Sequence, residues 1–432
     1  MLVPLNAGKV TIVPSGRLDV HLLRGGTSLR TILTTLLFFI LSYSCLFAVT
    51  IAVPKDYPTI QTAINAATDG DEIVVSPGTY FEILQMSGRD FVLRSCDPTS
   101  LTVVNATVID AEGRGTAVTF AGTETTTCVL DGLTITHGVN GIWGKWTHAT
   151  IQNCVVASNY SNTVGGGIAG CSGLILRNII TGNFVTIGGG AGLAFCDGLI
   201  ENNIISDNVS LGYYPGGGLK SCNGIIRNNI ISGNASAVGG DGLASCTGLI
   251  EGNLVVRNRG GSTAIVGTSN LRNNTIWGNA GFALLNCDGI ITNCIIWGNQ
   301  LSDNIQITTP TFSCIEGWTG GGIGNISSDP MFADPETWNF QLLAGSPCID
   351  AGNPDPAFDD ALLPPGLGTS RNDMGATGGP ANGRWLPFRS PEIKDQILGF
   401  DALGPEEIPY ADQVKDTSIN VGDLIFFINK GL

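Results

Sequence analysis

The feature that most constrains this 432-residue chain is one phrase that recurs between Gly165 and Asn299. It reads GCSGLILRNIITGN (170–183), FCDGLIENNIISDN (195–208), SCNGIIRNNIISGN (221–234) and SCTGLIEGNLVVRN (245–258). It continues as a shortened TSNLRNNTIWGN (268–279) and NCDGIITNCIIWGN (286–299), and THATIQNCVVASN (147–159) is a weaker copy upstream. The closing asparagines are Asn159, Asn183, Asn208, Asn234, Asn258, Asn279 and Asn299, so the steps are 24, 25, 26, 24, 21 and 20 residues. A period of that size specifies a solenoid, in which each repeat buries its apolar side only against its neighbours.

The pattern within the repeat says which solenoid. Ile175, Ile200, Ile226, Ile250, Leu271 and Ile291 share one position, followed by Leu176, Glu201, Arg227, Glu251, Arg272 and Thr292. An apolar residue followed by a mostly polar one, in short β-branched bursts between Gly and Asn, is strand grammar. The leucine frame of leucine-rich repeats is absent. Glu201, Arg227, Glu251 and Arg272 alternate in sign, so strands stacked about 4.8 Å apart set opposite charges side by side facing water. Ile168, Leu193, Leu219, Leu243 and Leu284 form a second inward stack, which Val266 joins only by a register slip. Cys154, Asn178, Asn203, Asn229, Asn253, Asn274 and Cys294 share a position at a bend. There asparagine suits a left-handed backbone and a hydrogen bond to the turn of the next rung. The expected fold is all-β, a right-handed parallel β-helix of about ten turns.

Sixty glycines and 13% charged residues fit a turn-dense β architecture. Thr31–Ala48 is an apolar run behind Arg24 and Arg30, the pattern of a secretory leader over 1–48, with a membrane anchor as the alternative. Removing that leader takes the net charge from −15 to 17 − 35 = −18. Such a surface disfavours nucleic acid and repels polyuronates unless a cation bridges them. The expectation is an exported, extracellular or cell-surface protein with no membrane span in the mature chain. Eleven cysteines then remain. Cys171, Cys196, Cys222, Cys246 and Cys287 occupy one repeat position, which favours a ladder of buried thiols over a disulfide framework.

In chain order, the β-helix is expected over 49–350, a Pro/Gly/Asp-rich wrap closing its C-terminal end over 351–398, and an acidic tail over 399–432. Ile60, Ala63, Ile64 and Ala67 share one face of a helix that would cap the open N-terminal end ahead of the first strand, Glu72–Val75. The stretch VPKDYPTIQTAINAATDGDEIVVSPGTY, with the repeats, SSDPMFADPETWNFQLLAGSPCIDAG (327–352) and RNDMGATGGP (371–380), resembles secreted β-helix proteins of the pectate-lyase-like superfamily. The closing motifs resemble a bacterial subfamily whose members mostly have no assigned activity. The tail YADQVKDTSINVGDLIFFINKGL (410–432) resembles half of a dockerin, a calcium-loop module that docks onto a partner protein. That likeness implies calcium held by Asp412, Asp416, Asn420 and Asp423. Val414 and Thr417 depart from the loop pattern, and the second repeat is missing.

The superfamily likeness implies lyases that use carboxylate-held calcium and an arginine or lysine base on an outer face, or hydrolases with clustered aspartates. The sequence places Lys220 in an outward series with Ala169, Ala194, Ala244 and Leu285, and with Gly267 under the same slip as Val266. This reads as a flat face of small residues, a shallow sugar groove with no carboxylate repeating beside it. Trp277 and Trp297 share an outward position, suited either to stacking on sugar rings or to lying beneath the wrap. Trp143 and Trp146 gather with Lys145 and His148 near a turn, another candidate carbohydrate contact. His137 aligns with a bend. No catalytic set emerges. The reading is a secreted or cell-surface β-helix that binds carbohydrate or serves as a structural or adhesive rod. A polysaccharide lyase or glycoside hydrolase acting on uronate polymers is the alternative, and a passenger of autotransporter type fits less well.

Overall fold

The computed structural model describes residues 48–301, 305–306 and 309–382, and before them only a backbone pairing of Thr11–Ile12 with Leu18–Asp19 inside a separate unit, Met1–Phe47. The apolar run of the leader and the whole dockerin-like tail, including Asp412, Asp416, Asn420 and Asp423, lie outside the described residues. From Ala48 the chain winds into a parallel β-helix, as the period requires. Sheet I stacks eleven strands from Thr50–Val53 to Ile291–Thr292, and sheet II stacks eleven from Gly78–Tyr80 to Cys314–Ile315. Sheet III stacks ten, from Leu84–Gln85 to Ile305–Gln306, and a four-strand sheet IV runs from Tyr160–Ser161 to Ala235–Ser236.

The core is the set of inward ladders. Ile151, Ile175, Ile200, Ile226, Ile250 and Leu271 stack in sheet I, and Ile168, Leu193, Leu219 and Leu243 stack in sheet III, all shut off from solvent. In the shortened repeat no slip is needed. Ile265 pairs with Leu243 and Leu284 and fills the inward position, while Val266 stands outward between Ala244 and Leu285. Gly267, with φ of +60°, takes the bend. At the N-terminal end the helix Ile60–Ala66 buries Ile60, Ala63 and Ile64 in the core. One strand precedes it, however: Thr50–Val53 pairs in parallel with Glu72–Val75 and supplies an extra rung.

The two corners that flank sheet II are each held by an asparagine ladder, but the left-handed residue is not the ladder asparagine. It is the residue before it: Arg177, Asn202, Asn228 and Asn273 at one corner, Ser158, Asp207 and Arg257 at the other. The ladder asparagine turns inward instead. Asn203 Oδ1 accepts from the backbone N–H of Asn178 at 2.8 Å, and its Nδ2 donates to Ile175 O at 2.8 Å and to Asn229 Oδ1 at 3.0 Å. A second ladder runs through Asn159, Asn183, Asn208, Asn234, Asn258, Asn279 and Asn299. Backbone groups that a tight bend strands away from water are thereby paired rung by rung.

The C-terminal segment does more than close an end. The hairpin Phe332–Asp334 and Asn339–Leu342 packs Trp338 and Phe340 on Ile204, Ile230, Leu254 and Val256, on the outer face of sheet II. Residues 350–382 then form a strap that runs back along the corner between sheets I and II. Asn293 accepts from Asn353 N, Asn273 donates to Asp373 O, and Asn228 donates to Ala381 O. Gly379, at φ +85°, passes so close to the Asn273 amide that a Cβ would lie 2.7 Å from it, which explains the glycine there. The alternating charges pair as expected, Arg227 to Glu201 at 2.7 Å and Arg272 to Glu251. They do not face open water. Glu201 and Glu251 are buried beneath their arginines, and Phe358 of the strap sits over Arg272.

Candidate carbohydrate-binding face

The five candidate residues divide between two faces. Trp277 and Trp297 stand on sheet II, paired on successive rungs, and the wrap covers them. Trp277 meets Phe340 edge-on at 5.5 Å and carries the Arg257 guanidinium at 5.3 Å; Trp297 packs beside Phe332, Leu342 and Met374. This packing on the wrap matches one of the two roles the sequence left open for the pair.

Lys220, Trp143 and Trp146 belong to sheet III. Its outward ladder reads Thr119, Trp143, Ala169, Ala194, Lys220, Ala244, Val266 and Leu285. Trp143 thus stands three rungs from Lys220, about 14 Å at one strand spacing per rung. The alanines between them are not a sugar groove. They are fully buried, because glycine-rich chain entering each strand folds back on them. A Cβ on Gly165 would lie 2.5 Å from the Ala169 Cβ, and one on Gly190 would lie 2.8 Å from the Lys220 Cβ. The small side chains exist to admit that loop.

The same loops carry what the sequence reading missed. The Lys220 stem lies along Gly189, Gly190 and Gly216, and its Nζ ends 4.4 Å from the centre of the Tyr214 ring. Burial of the stem lowers the Lys220 ammonium below the ordinary lysine range. Tyr213 is 86% exposed and Tyr214 57%. The tyrosines belong to the 26-residue step, the longest in the array, and that extra length is the only trace they leave in the sequence. On the other side of the strand, Phe195 N donates to Lys220 O, and the Phe195 ring meets Trp146, 53% exposed, at 6.3 Å. Trp146 and Phe195 both adopt left-handed backbone at a bend, which turns their rings outward. Further along the loop edge Tyr160 stacks on Phe184 at 5.8 Å.

Among the described residues no carboxylate pairs with Lys220, and no group of three or more acidic, histidine or cysteine side chains is arranged to hold a metal ion. The Glu124 carboxylate is buried and occupied by the backbone N–H groups of Ala121 and Gly122 and by the hydroxyl of Thr147, the residue after Trp146. It holds a bend. His137 sits at a left-handed bend with Nδ1 3.0 Å from Asp110, and His148 is exposed. Two clefts of about 360 and 310 Å³ lie elsewhere, one beside Arg257, Arg259 and Trp338 and one between Leu101 and Ile179. Neither contains Lys220 or its aromatic neighbours.

No known protein-family profile matches this chain, and no curated protein matches it. Among solved structures it is similar to pectate lyase Pel9A, at 13% identity and a TM-score of 0.48, over 76% of this chain and 96% of that one. It is also similar to an alginate lyase from Paenibacillus sp. str. FPU-7, at 15% identity and a TM-score of 0.31, over 65% and 98%. A PL6 family alginate lyase, AlyGC, follows at 14% identity and a TM-score of 0.29, over 80% and 60%. These likenesses are of fold alone.

Proposed function

We propose that this chain is a polysaccharide-binding β-helix that works outside the cell or at its surface, and that the ligand lies along the loop edge of sheet III. The observation that carries the reading is the exposure of Tyr213, Tyr214 and Trp146 near Lys220, which stands between alanines in the outward ladder of sheet III. Large rings left in water on the loops and bends beside the rungs offer apolar faces to sugar rings, and their polar edges stay hydrated. Lys220 adds one cation for a carboxylate or sulfate on the polymer, against a chain that is otherwise strongly acidic.

A second reading rests on one specific feature. The Lys220 amine, with its proton affinity lowered by burial, is suited to take the proton beside a uronate carboxylate. Loss of that proton with cleavage of the C–O bond at the next carbon, the departing oxygen taking a proton from water, leaves an unsaturated sugar, and the alternative of a polysaccharide lyase then stands on Lys220 as base.

Both readings meet in one experiment. Residues 49–432 are run through gels containing uronate or neutral polysaccharides, with calcium or with chelator, and the absorbance of unsaturated ends is followed over hours. Retardation that weakens at least fivefold in Tyr213→Ala and in Trp146→Ala, with no product, is the expected result. Product formation abolished in Lys220→Ala replaces binding by lysis. Equal migration of wild type and variants on every polymer refutes both.

A further inference from the structure

We infer that Cys314 and Cys348 are partners in a disulfide that ties the C-terminal wrap to the last rung of the β-helix. The inference starts from how the other thiols point. Cys154, Cys171, Cys196, Cys222, Cys246, Cys287 and Cys294 each aim the sulfur at the carbonyl two residues earlier in their own strand. Those are rung thiols, satisfied locally. Cys314 breaks the pattern: its Sγ turns out of its strand toward Ser328 O at 3.1 Å. Cys348 comes from a segment 34 residues away and is buried in the same cluster, with Ile295, Leu342 and Met374 around the pair. Both thiols are fully buried in that one small cluster, which sets the last rung against the turn that carries Cys348.

The rung thiols also neighbour one another, yet they are poorly placed to oxidise. Two cysteines in register on parallel strands are held about 4.8 Å apart by the sheet ladder, whereas a disulfide draws Cβ atoms to about 3.8 Å. Closing one would pull two rungs together against every ladder beside it. Cys348 has no such restraint. It lies in a turn outside the sheet ladders, where the Ser346 hydroxyl accepts from Cys348 N at 3.2 Å and donates to Pro330 O, and Met374 N donates to Cys348 O at 3.0 Å. That turn can approach the rung.

The step is thiol–disulfide exchange with an oxidised dithiol donor. One protein thiolate attacks the donor disulfide and forms a mixed disulfide. The second protein thiolate displaces the donor sulfur, and the donor leaves as two thiols carrying the two protons and two electrons. The neighbouring Cys314 thiol and burial both oppose thiolate formation at Cys348 once the wrap is seated, so the exchange belongs to folding, before the seam closes. The consequence is positional. The wrap that covers Trp277 and Trp297 and seats the strap becomes covalently anchored where it leaves the rod, and an oxidising exterior locks the outer face of sheet II.

The test is made on the full chain refolded in a glutathione redox buffer, alkylated under denaturing conditions and digested at acidic residues. Glu316, Asp329 and Glu336 separate the two cysteines, which tryptic cleavage would leave on one peptide. A linked pair of peptides containing Cys314 and Cys348, released by reductant, is the expected result. Reduction should also lower the unfolding midpoint of the wild type and leave that of Cys348→Ser unmoved. Full alkylation of both cysteines, or a link between any other pair to the exclusion of this one, overturns the inference. Mapping is done on the wild type, so a variant that fails to fold does not blunt the result.

Discussion

Asn203 is the residue whose replacement most directly tests the account of the bends. It is fully buried, and its side chain makes five hydrogen bonds: two accepted from Asn178, and three donated to Ile175 O, Glu201 O and Asn229 Oδ1. Asn203→Ala leaves the Asn178 backbone N–H with no acceptor inside the rod, a loss of about 1–3 kcal/mol on its own. The remaining bonds are partly replaced by other partners, Ile151 O for the Asn178 amide and the Asn203 N–H for Asn229 Oδ1. With about 1 kcal/mol for the void, the expected total is roughly 3–5 kcal/mol. Asn203→Asp keeps the acceptor but turns its second oxygen toward three acceptors. It should therefore be worse than alanine above neutral pH and recover on acidification, when a protonated carboxyl can donate once. Because a solenoid can open locally, the assay pairs urea unfolding by circular dichroism with hydrogen exchange at the Asn178 amide. Ile187→Ala, on a side chain 53% exposed in a loop, is the control and should change stability by less than about 0.5 kcal/mol. A cost below about 1 kcal/mol for Asn203→Ala, or an aspartate indistinguishable from alanine at every pH, would refute the reasoning.

Three further outcomes are expected. Arg272→Ala strips the partner from Glu251, which is 4% exposed, and removes the contact with Phe358; the cost should be about 2–4 kcal/mol by urea unfolding and should shrink when Glu251→Gln is added. Burial, with the Asp373 and Asp350 carboxylates nearby, pushes Asp360 up to about 7, so the folded chain keeps a proton that the unfolded chain has already lost above about pH 4. Stability therefore falls as pH rises from about 4 to 7 and levels off beyond; Asp360→Asn, which keeps the acceptor for Asp373 N and Gly379 N, should flatten part of that fall in melts taken across the range. Trp277→Ala should destabilise by about 3 kcal/mol through lost packing on Phe340 and leave polysaccharide retardation unchanged, whereas Trp146→Ala should do the reverse.

The spacing of the asparagines and the inward Ile and Leu series made the β-helix legible, because each rung repeats the same burial problem and so repeats the same residues. The hairpin cover left a signal in the sequence as well. Sheet II strands read Ile179–Ile180, Ile204–Ile205 and Ile230–Ile231, two adjacent large aliphatics where a strand with one wet face would alternate. Ile205 and Ile231 face the core, while Ile204 and Ile230 lie under Trp338 and Phe340. A doubled isoleucine thus reports a second cover, and the wrap is what covers it. Its route along the corner follows from single contacts at Asn228, Asn273 and Asn293, which no period records.

The proposed binding face was legible only in part, for a physical reason. Periodicity exposes what every rung must share, and a binding residue is by nature what one rung does differently. Lys220 was visible as a break in an alanine series, but the series suggested an open groove only because spacing cannot show that glycines fold over it. Tyr213 and Tyr214 occupy the residues by which one step exceeds its neighbours, so alignment on the ladder sets them aside as loop length. Trp146 and Phe195 face outward because a left-handed bend turns them there. In a solenoid whose strands are committed to stacking, the loops and bends are where the chain is free to place rings in water, and a ligand that spans several rungs would read the array from that edge.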